Sequence, residues 1–78
     1  MSVPGFLILY KRRSGEYQVI EYGGQEGRRA ALSERLRLEA SDEFPGEEFE
    51  VAALFSDSLE SVKKTHSRYF QGEKVEFV

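Results

Sequence analysis

The segment Phe6-Leu7-Ile8-Leu9-Tyr10 places a bulky apolar side chain at every position. Side chains of an extended strand point alternately to opposite faces, so a strand made of this segment is apolar on both. Such a strand suits the middle of a sheet with cover on each side. The chain that must supply the cover has only 78 residues, enough for one domain and too few for two cores. A domain of this size buries about 60–65% of the surface its unfolded chain exposes, and usually leans on disulfides, a metal or a partner. With no Cys and one His, self-association is the device that remains. The chain is therefore expected to form a homodimer.

Downstream of the first strand, Arg12-Arg13-Ser14-Gly15 carries turn chemistry. Gly15 fits the left-handed third position of a three-residue loop, Arg13-Ser14-Gly15. The returning strand is Glu16–Tyr22. In that register Tyr10 faces Gln18, Ile8 faces Ile20 and Phe6 faces Tyr22. One face then carries Phe6, Ile8, Tyr10, Ile20 and Tyr22, and the other Leu7, Leu9, Tyr17 and Val19. A loop shorter by one residue would slide the pairing and exchange faces. Gly23-Gly24 ends the hairpin.

A helix is predicted from about Gln25–Gly27 to Ala40, with Leu32, Leu36 and Ala40 on one stripe at four-residue spacing. Arg28, Arg29 and Arg35 border it. Ser41–Glu48 is a loop broken at Pro45. Phe49–Phe55 reads as a third strand. Asp57 with Glu60 has capping-box spacing and opens a second helix, Ser58 to about Phe70, whose stripe is Leu59, Val62, His66, Tyr69 and Phe70. Val75 and Phe77 alternate with Glu76 as a short final edge strand. The order β-β-α-β-α(-β) is an α+β two-layer sandwich. The sheet is mainly antiparallel, with strand order 2-1-3 and the most apolar strand central. Which sheet face the helices cover stays open.

Composition is that of an ordinary globular domain, 40% hydrophobic and 32% charged. A net charge of −3 argues against a dedicated nucleic-acid binder. The distribution is uneven: residues 1–37 hold seven Lys/Arg and four Glu, residues 38–78 four Lys/Arg and ten Asp/Glu. Such asymmetry favours head-to-tail attraction between copies or one basic face. Met1–Gly5 has no basic leader region, and the run Phe6–Tyr10 is far short of the ~18 residues that span a bilayer. The expected location is the cytoplasm, away from membranes.

No segment carries a catalytic or metal-ligand motif. His66 lies at the centre of an apolar stripe, the place of a structural histidine, and nothing marks a nucleophile or acid to join it. One His cannot build a transition-metal site, and Asp42-Glu43 with Glu47-Glu48 lacks the glycine and ligand spacing of a calcium loop. Gly23-Gly24-Gln25-Glu26-Gly27 matches neither the phosphate-loop nor the dinucleotide pattern and reads as a turn leading into a helix. No metal or cofactor is expected. The remaining constellation is the basic, aromatic hairpin. Tyr10, Tyr17 and Tyr22 are candidate anchors for a protein partner. Lys11, Arg12, Arg13, Arg28 and Arg29 are candidate contacts for a nucleic acid. The first reading is a non-enzymatic interaction or regulatory domain that self-associates, through an uncovered sheet face or an exposed strand edge. A weak nucleic-acid binder comes second, and a small enzyme centred on His66 third.

Overall fold

A computed structural model describes residues 3–78. Met1 and Ser2, part of the segment read for leader character, lie outside the described residues. The chain forms β1 (Gly5–Lys11), β2 (Tyr17–Tyr22), α1 (Gly27–Glu39), β3 (Phe49–Phe55) and α2 (Leu59–Thr65), followed by a 3-10 turn over Ser67–Phe70. Both strand neighbours of β1 run antiparallel to it, giving the order β2-β1-β3. The class, the strand order and the central place of the most apolar strand agree with the sequence expectation.

Alternation along β1 divides the interior in two. Leu7 and Leu9 join Leu38, Phe44, Phe49 and Val51 under α1, with Ile20, Tyr22 and Phe77 against them. Phe6 and Ile8 join Val62 and Tyr69 under α2 and the 3-10 turn, with Tyr10, Val19, Leu54 and Phe70 around them. The helices thus stand on opposite faces, so the sheet is the middle of three layers where two were expected: a strand apolar on both sides takes cover on each. Phe6, Leu7, Ile8 and Leu9 are each 0% exposed, and burying a side chain of that size stabilises by about 1.5–3 kcal/mol. No described helix is long and apolar enough to cross a membrane.

The hairpin register differs from expectation by one residue. Tyr10 faces Tyr17, Ile8 faces Val19 and Gly5 faces Tyr22. Lys11 N–H donates to Glu16 O at 2.9 Å and Gly15 N–H to Lys11 O at 2.8 Å, so the loop holds four residues, Arg12–Gly15. Gly15 does take the left-handed conformation, at φ 79°, but from the fourth loop position. Because side chains alternate, the slip exchanges the faces of β2. Tyr17 and Val19 turn toward α2, Ile20 and Tyr22 toward α1.

The buried side of α1 also differs. Gly27, Ala31 and Leu38 face the sheet, whereas Leu32 and Leu36 of the expected stripe are 42% and 66% exposed. Close approach decides this. A Cβ on Gly5 would lie 2.7 Å from Gly27 O and 2.8 Å from the Ala31 Cβ, and one on Gly27 would lie 2.1 Å from Tyr22 O. Only small residues fit where the helix start crosses β1, so the Gly27–Ala31 side goes down and the leucines go out.

The second helix is shorter than expected. Ser58, not Asp57, caps it, accepting from Ser61 N–H at 3.1 Å. It breaks at His66 (φ −128°, ψ 46°). His66 is half-buried with its ring stacked on Tyr69 at 6.3 Å, a different place from the core position expected on a continuous helix. The C-terminal segment makes one parallel bridge, Tyr17 to Lys74, in place of a full strand.

Candidate interaction surface

The three tyrosines do not share a face. Tyr10 meets Tyr69 edge-on at 5.4 Å, and Tyr17, 8% exposed, meets Phe70 at 5.1 Å, both beneath α2 and the 3-10 turn. Tyr22 is half-buried on the α1 face. Burial is the main cause that lifts its pKa, Glu34 adds to the rise, and Arg37 opposes it. Tyr17 is buried and Tyr10 and Tyr22 are half-buried against the two cores, so the three candidate anchors pack beneath helices and not on an open sheet face.

The five basic candidates are also separated. Lys11, Arg12 and Arg13 lie at the loop end of β1, lining an open cleft of about 570 Å³ with Glu47 and Glu48. Arg12 is engaged there: Nε donates to Gly46 O at 3.1 Å, and a terminal nitrogen lies 3.4 Å from Glu50. Arg28 and Arg29 begin α1, which crosses the Gly5 end of β1. A seven-residue strand at about 3.3 Å per residue separates the two groups by about 20 Å. Arg28 lies over the Phe55 ring at 4.7 Å, and Arg29 lies 3.5 Å from Glu26.

Glu50, the one charged residue of β3, is the hub of a polar cluster. It accepts from Arg68 at 2.7 Å and from the Tyr69 hydroxyl. Arg68 also lies over the Tyr69 ring at 4.2 Å. Burial pushes the Glu50 carboxyl up, but the hydrogen bonds from Tyr69 and Arg68 outweigh it and hold the group below the usual carboxylate range. Burial and the Glu50 charge push Tyr69 up to about 12. The cluster ties the 3-10 turn to β3 and to the hairpin loop, and its chemistry is that of a clamp. Among the described residues no three or more His, Asp or Glu side chains converge as metal ligands.

What remains open is the outer edge of β3. Arg12 N–H donates to Glu48 O at 2.8 Å. In an antiparallel pair bonded and non-bonded residues alternate, so the even positions of β3 face β1. Val51, Ala53 and Phe55 therefore turn their backbone N–H and C=O away from it. No strand pairs with that side among the described residues. The opposite edge is closed at its first residue alone: Tyr17 N–H donates to Glu73 O at 3.0 Å and Val75 N–H to Tyr17 O at 2.8 Å, while among the described residues no backbone bonds the outward groups of Val19 and Glu21.

One flank of α1 borders the open edge. Arg28 over Phe55 fixes which flank it is. At about 100° per residue, Leu32, Arg35 and Glu39 fall on the same flank and Leu36 next to it. Exposed Leu32, Leu36 and Phe55 thus line an apolar margin beside unpaired strand backbone. Sequence reasoning singled out none of these three as surface. The signal available was the strand order, which makes β3 an edge, together with the absence of Lys or Pro from Phe49–Phe55.

No family model, curated protein or solved structure matches the chain. Function must therefore be argued from the surface itself.

Proposed function

We propose that the protein is a non-enzymatic protein-interaction domain whose partner adds an extended segment to the outer edge of β3. The observation that carries this reading is the bare backbone of Val51, Ala53 and Phe55 in a sheet whose faces are covered and whose other edge is bridged at Tyr17. Strand addition draws affinity from main-chain hydrogen bonds and specificity from side-chain pockets. Leu32, Leu36 and Phe55 supply apolar contact beside the edge. Natural edge strands are ordinarily blunted by Lys, Pro or bulges, and β3 has neither Lys nor Pro.

The nucleic-acid reading has less support. Its basic residues lie at two ends of the sheet, Glu47 and Glu48 share the cleft of Lys11–Arg13, and Arg12 is held by Gly46 and Glu50. No observation favours an enzyme centred on His66.

Affinity capture from native extract, with and without nuclease, separates the readings. A protein held by the wild type through nuclease treatment and lost with Ala53→Pro supports strand addition. The Ala53 N–H points outward, so proline there removes no bond to β1. Capture that is nuclease-sensitive and abolished by the double variant Arg12→Glu/Arg13→Glu would replace strand addition with nucleic-acid binding.

A further inference from the structure

Resting on the β3-edge reading, we propose that the partner is a second copy of the chain. Its β3 pairs antiparallel with the first about a two-fold axis at Ala53, and the two α1 helices face each other across that axis.

The strand is self-complementary in this arrangement. Antiparallel pairing centred on Ala53 sets Val51 opposite Phe55 of the other copy, twice, with the two alanines at the axis. The outward N–H and C=O groups of all three residues then both donate and accept. A two-fold contact uses the same patch on both subunits, so complementarity must hold in both directions at once.

Helix α1 reaches the same axis independently. It starts beside Gly5, and its last turn packs Leu38 with Phe44 and Phe49, so it runs opposite to β3. Arg28 is level with Phe55. Ala53 lies two residues further along β3, about 7 Å at a rise of roughly 3.4 Å per residue. On a helix rising about 1.5 Å per residue that distance covers four to five residues, from Arg28 to Leu32 or Ser33. An axis at this level sets Leu32 of each copy against Leu32 of the other, with Leu36 one turn further along each helix. The exposed Leu32 side chain is thereby paired without moving either element.

Charge agrees with the antiparallel sense. Arg28 and Arg29 lie at the start of α1, and Glu39, Asp42 and Glu43 at or just beyond its end. Reversal turns Arg28 and Arg29 of one helix toward the end of the other that carries Glu39, Asp42 and Glu43 beside Arg35 and Arg37. The present partners of these groups hold them loosely. Arg29 and Glu26 are 83% and 73% exposed, and Arg35 Nε lies 3.4 Å from Glu39 without making a hydrogen bond. Exposed pairs of this kind contribute about 0–1 kcal/mol and exchange readily. One strand and one helix flank make a small contact, at the low end of interfaces, under about 1,200 Å² in total. The dimer is therefore weak and reversible.

Sedimentation of the full chain from micromolar to millimolar concentration tests this. The expected result is a monomer that becomes a dimer with concentration. Ala53→Pro should abolish the dimer, and Leu32→Glu and Arg28→Glu should each raise its dissociation constant about tenfold, a change of about 1.4 kcal/mol. The exchange Arg28→Glu/Glu39→Arg should restore it to within about threefold, since swapped charges re-pair only if those ends meet. Circular dichroism checks each fold, and Leu32→Glu, at an exposed position, keeps the test decisive if Ala53→Pro unfolds. A strict monomer at millimolar concentration overturns self-pairing and leaves the β3-edge reading to stand or fall on capture of another protein. A dimer that survives both Ala53→Pro and Leu32→Glu overturns the pairing and takes support from the edge reading as well. Failure of the charge exchange to restore association overturns the antiparallel helix register.

Discussion

The two outer strands of this sheet are treated differently. Beside the start of β2 the chain covers itself: Glu73 and Val75 bond the backbone of Tyr17, and the Gln18 side chain accepts from Phe77 and Val78 N–H at 2.7 and 3.1 Å. The same segment carries Phe77 onto the α1 face, where its ring meets Phe49 at 5.1 Å and Phe44 at 6.5 Å. Beyond β3 no described segment does the same. An uncovered edge offers strand backbone to any chain that can extend along it, which is the role proposed for β3.

Proline at adjacent positions of β3 should break the comparison most sharply. The Ala52 N–H faces β1, so Ala52→Pro removes a central ladder bond and is expected to cost about 3 kcal/mol or more. Ala53→Pro, one residue away, is expected to cost about 1 kcal/mol, because its N–H faces outward. Urea denaturation of both variants gives the difference, and equal costs would contradict the assigned edge.

At the closed edge, Phe77→Ala should destabilise by about 2 kcal/mol, below the ~3–5 kcal/mol of a fully buried aromatic because Phe77 is only half-buried. Gln18→Ala should cost about 1 kcal/mol, since the bonds it removes are largely exposed. Both variants should raise the exchange rate of the Tyr17 and Val75 amides and leave β3 unchanged. Leu36→Ser, at an exposed position, should change monomer stability by less than about 0.5 kcal/mol.

The pH response should act on the clamp and on neither edge selectively. Tyr69 is pushed up to about 12 when folded, above its ordinary value near 10. Its contribution is therefore fully present below pH ~10 and lost as pH rises through about 12. Glu50 is depressed, so its contribution is present above the ordinary carboxylate range and lost as pH falls through its lower folded value. A phenolate absorbance titration checks the first: Tyr69→Phe should remove a late step, and loss of an early step would show that Tyr69 titrates normally.

Much of the fold was legible in the residues because β1 is so constrained. A strand apolar at Phe6 through Leu9 has to be central and covered on both faces, and the turn signals around it leave little choice of order. The hairpin register was not legible, since Gly15 suits the last position of a three-residue or a four-residue loop equally well. The buried side of α1 was misread because apolar spacing pointed to Leu32 and Leu36, while steric approach of the helix to Gly5 selected Gly27 and Ala31. The candidate surface followed from that inversion. Once the leucines face outward and β3 lies at the edge, the apolar margin exists, but neither fact can be read from periodicity. The Glu50–Arg68–Tyr69 clamp joins residues far apart in the chain and left no local signal.

Amide hydrogen exchange on the dilute full chain tests the central claim most directly, because it reads both edges in one experiment. The account predicts protected amides at Tyr17 and Val75 and rapid exchange at Val51, Ala53 and Phe55, interleaved with slow exchange at Ala52 and Leu54. Slow exchange at Val51, Ala53 and Phe55 in a chain shown to be monomeric would contradict it, since the edge would then already be covered.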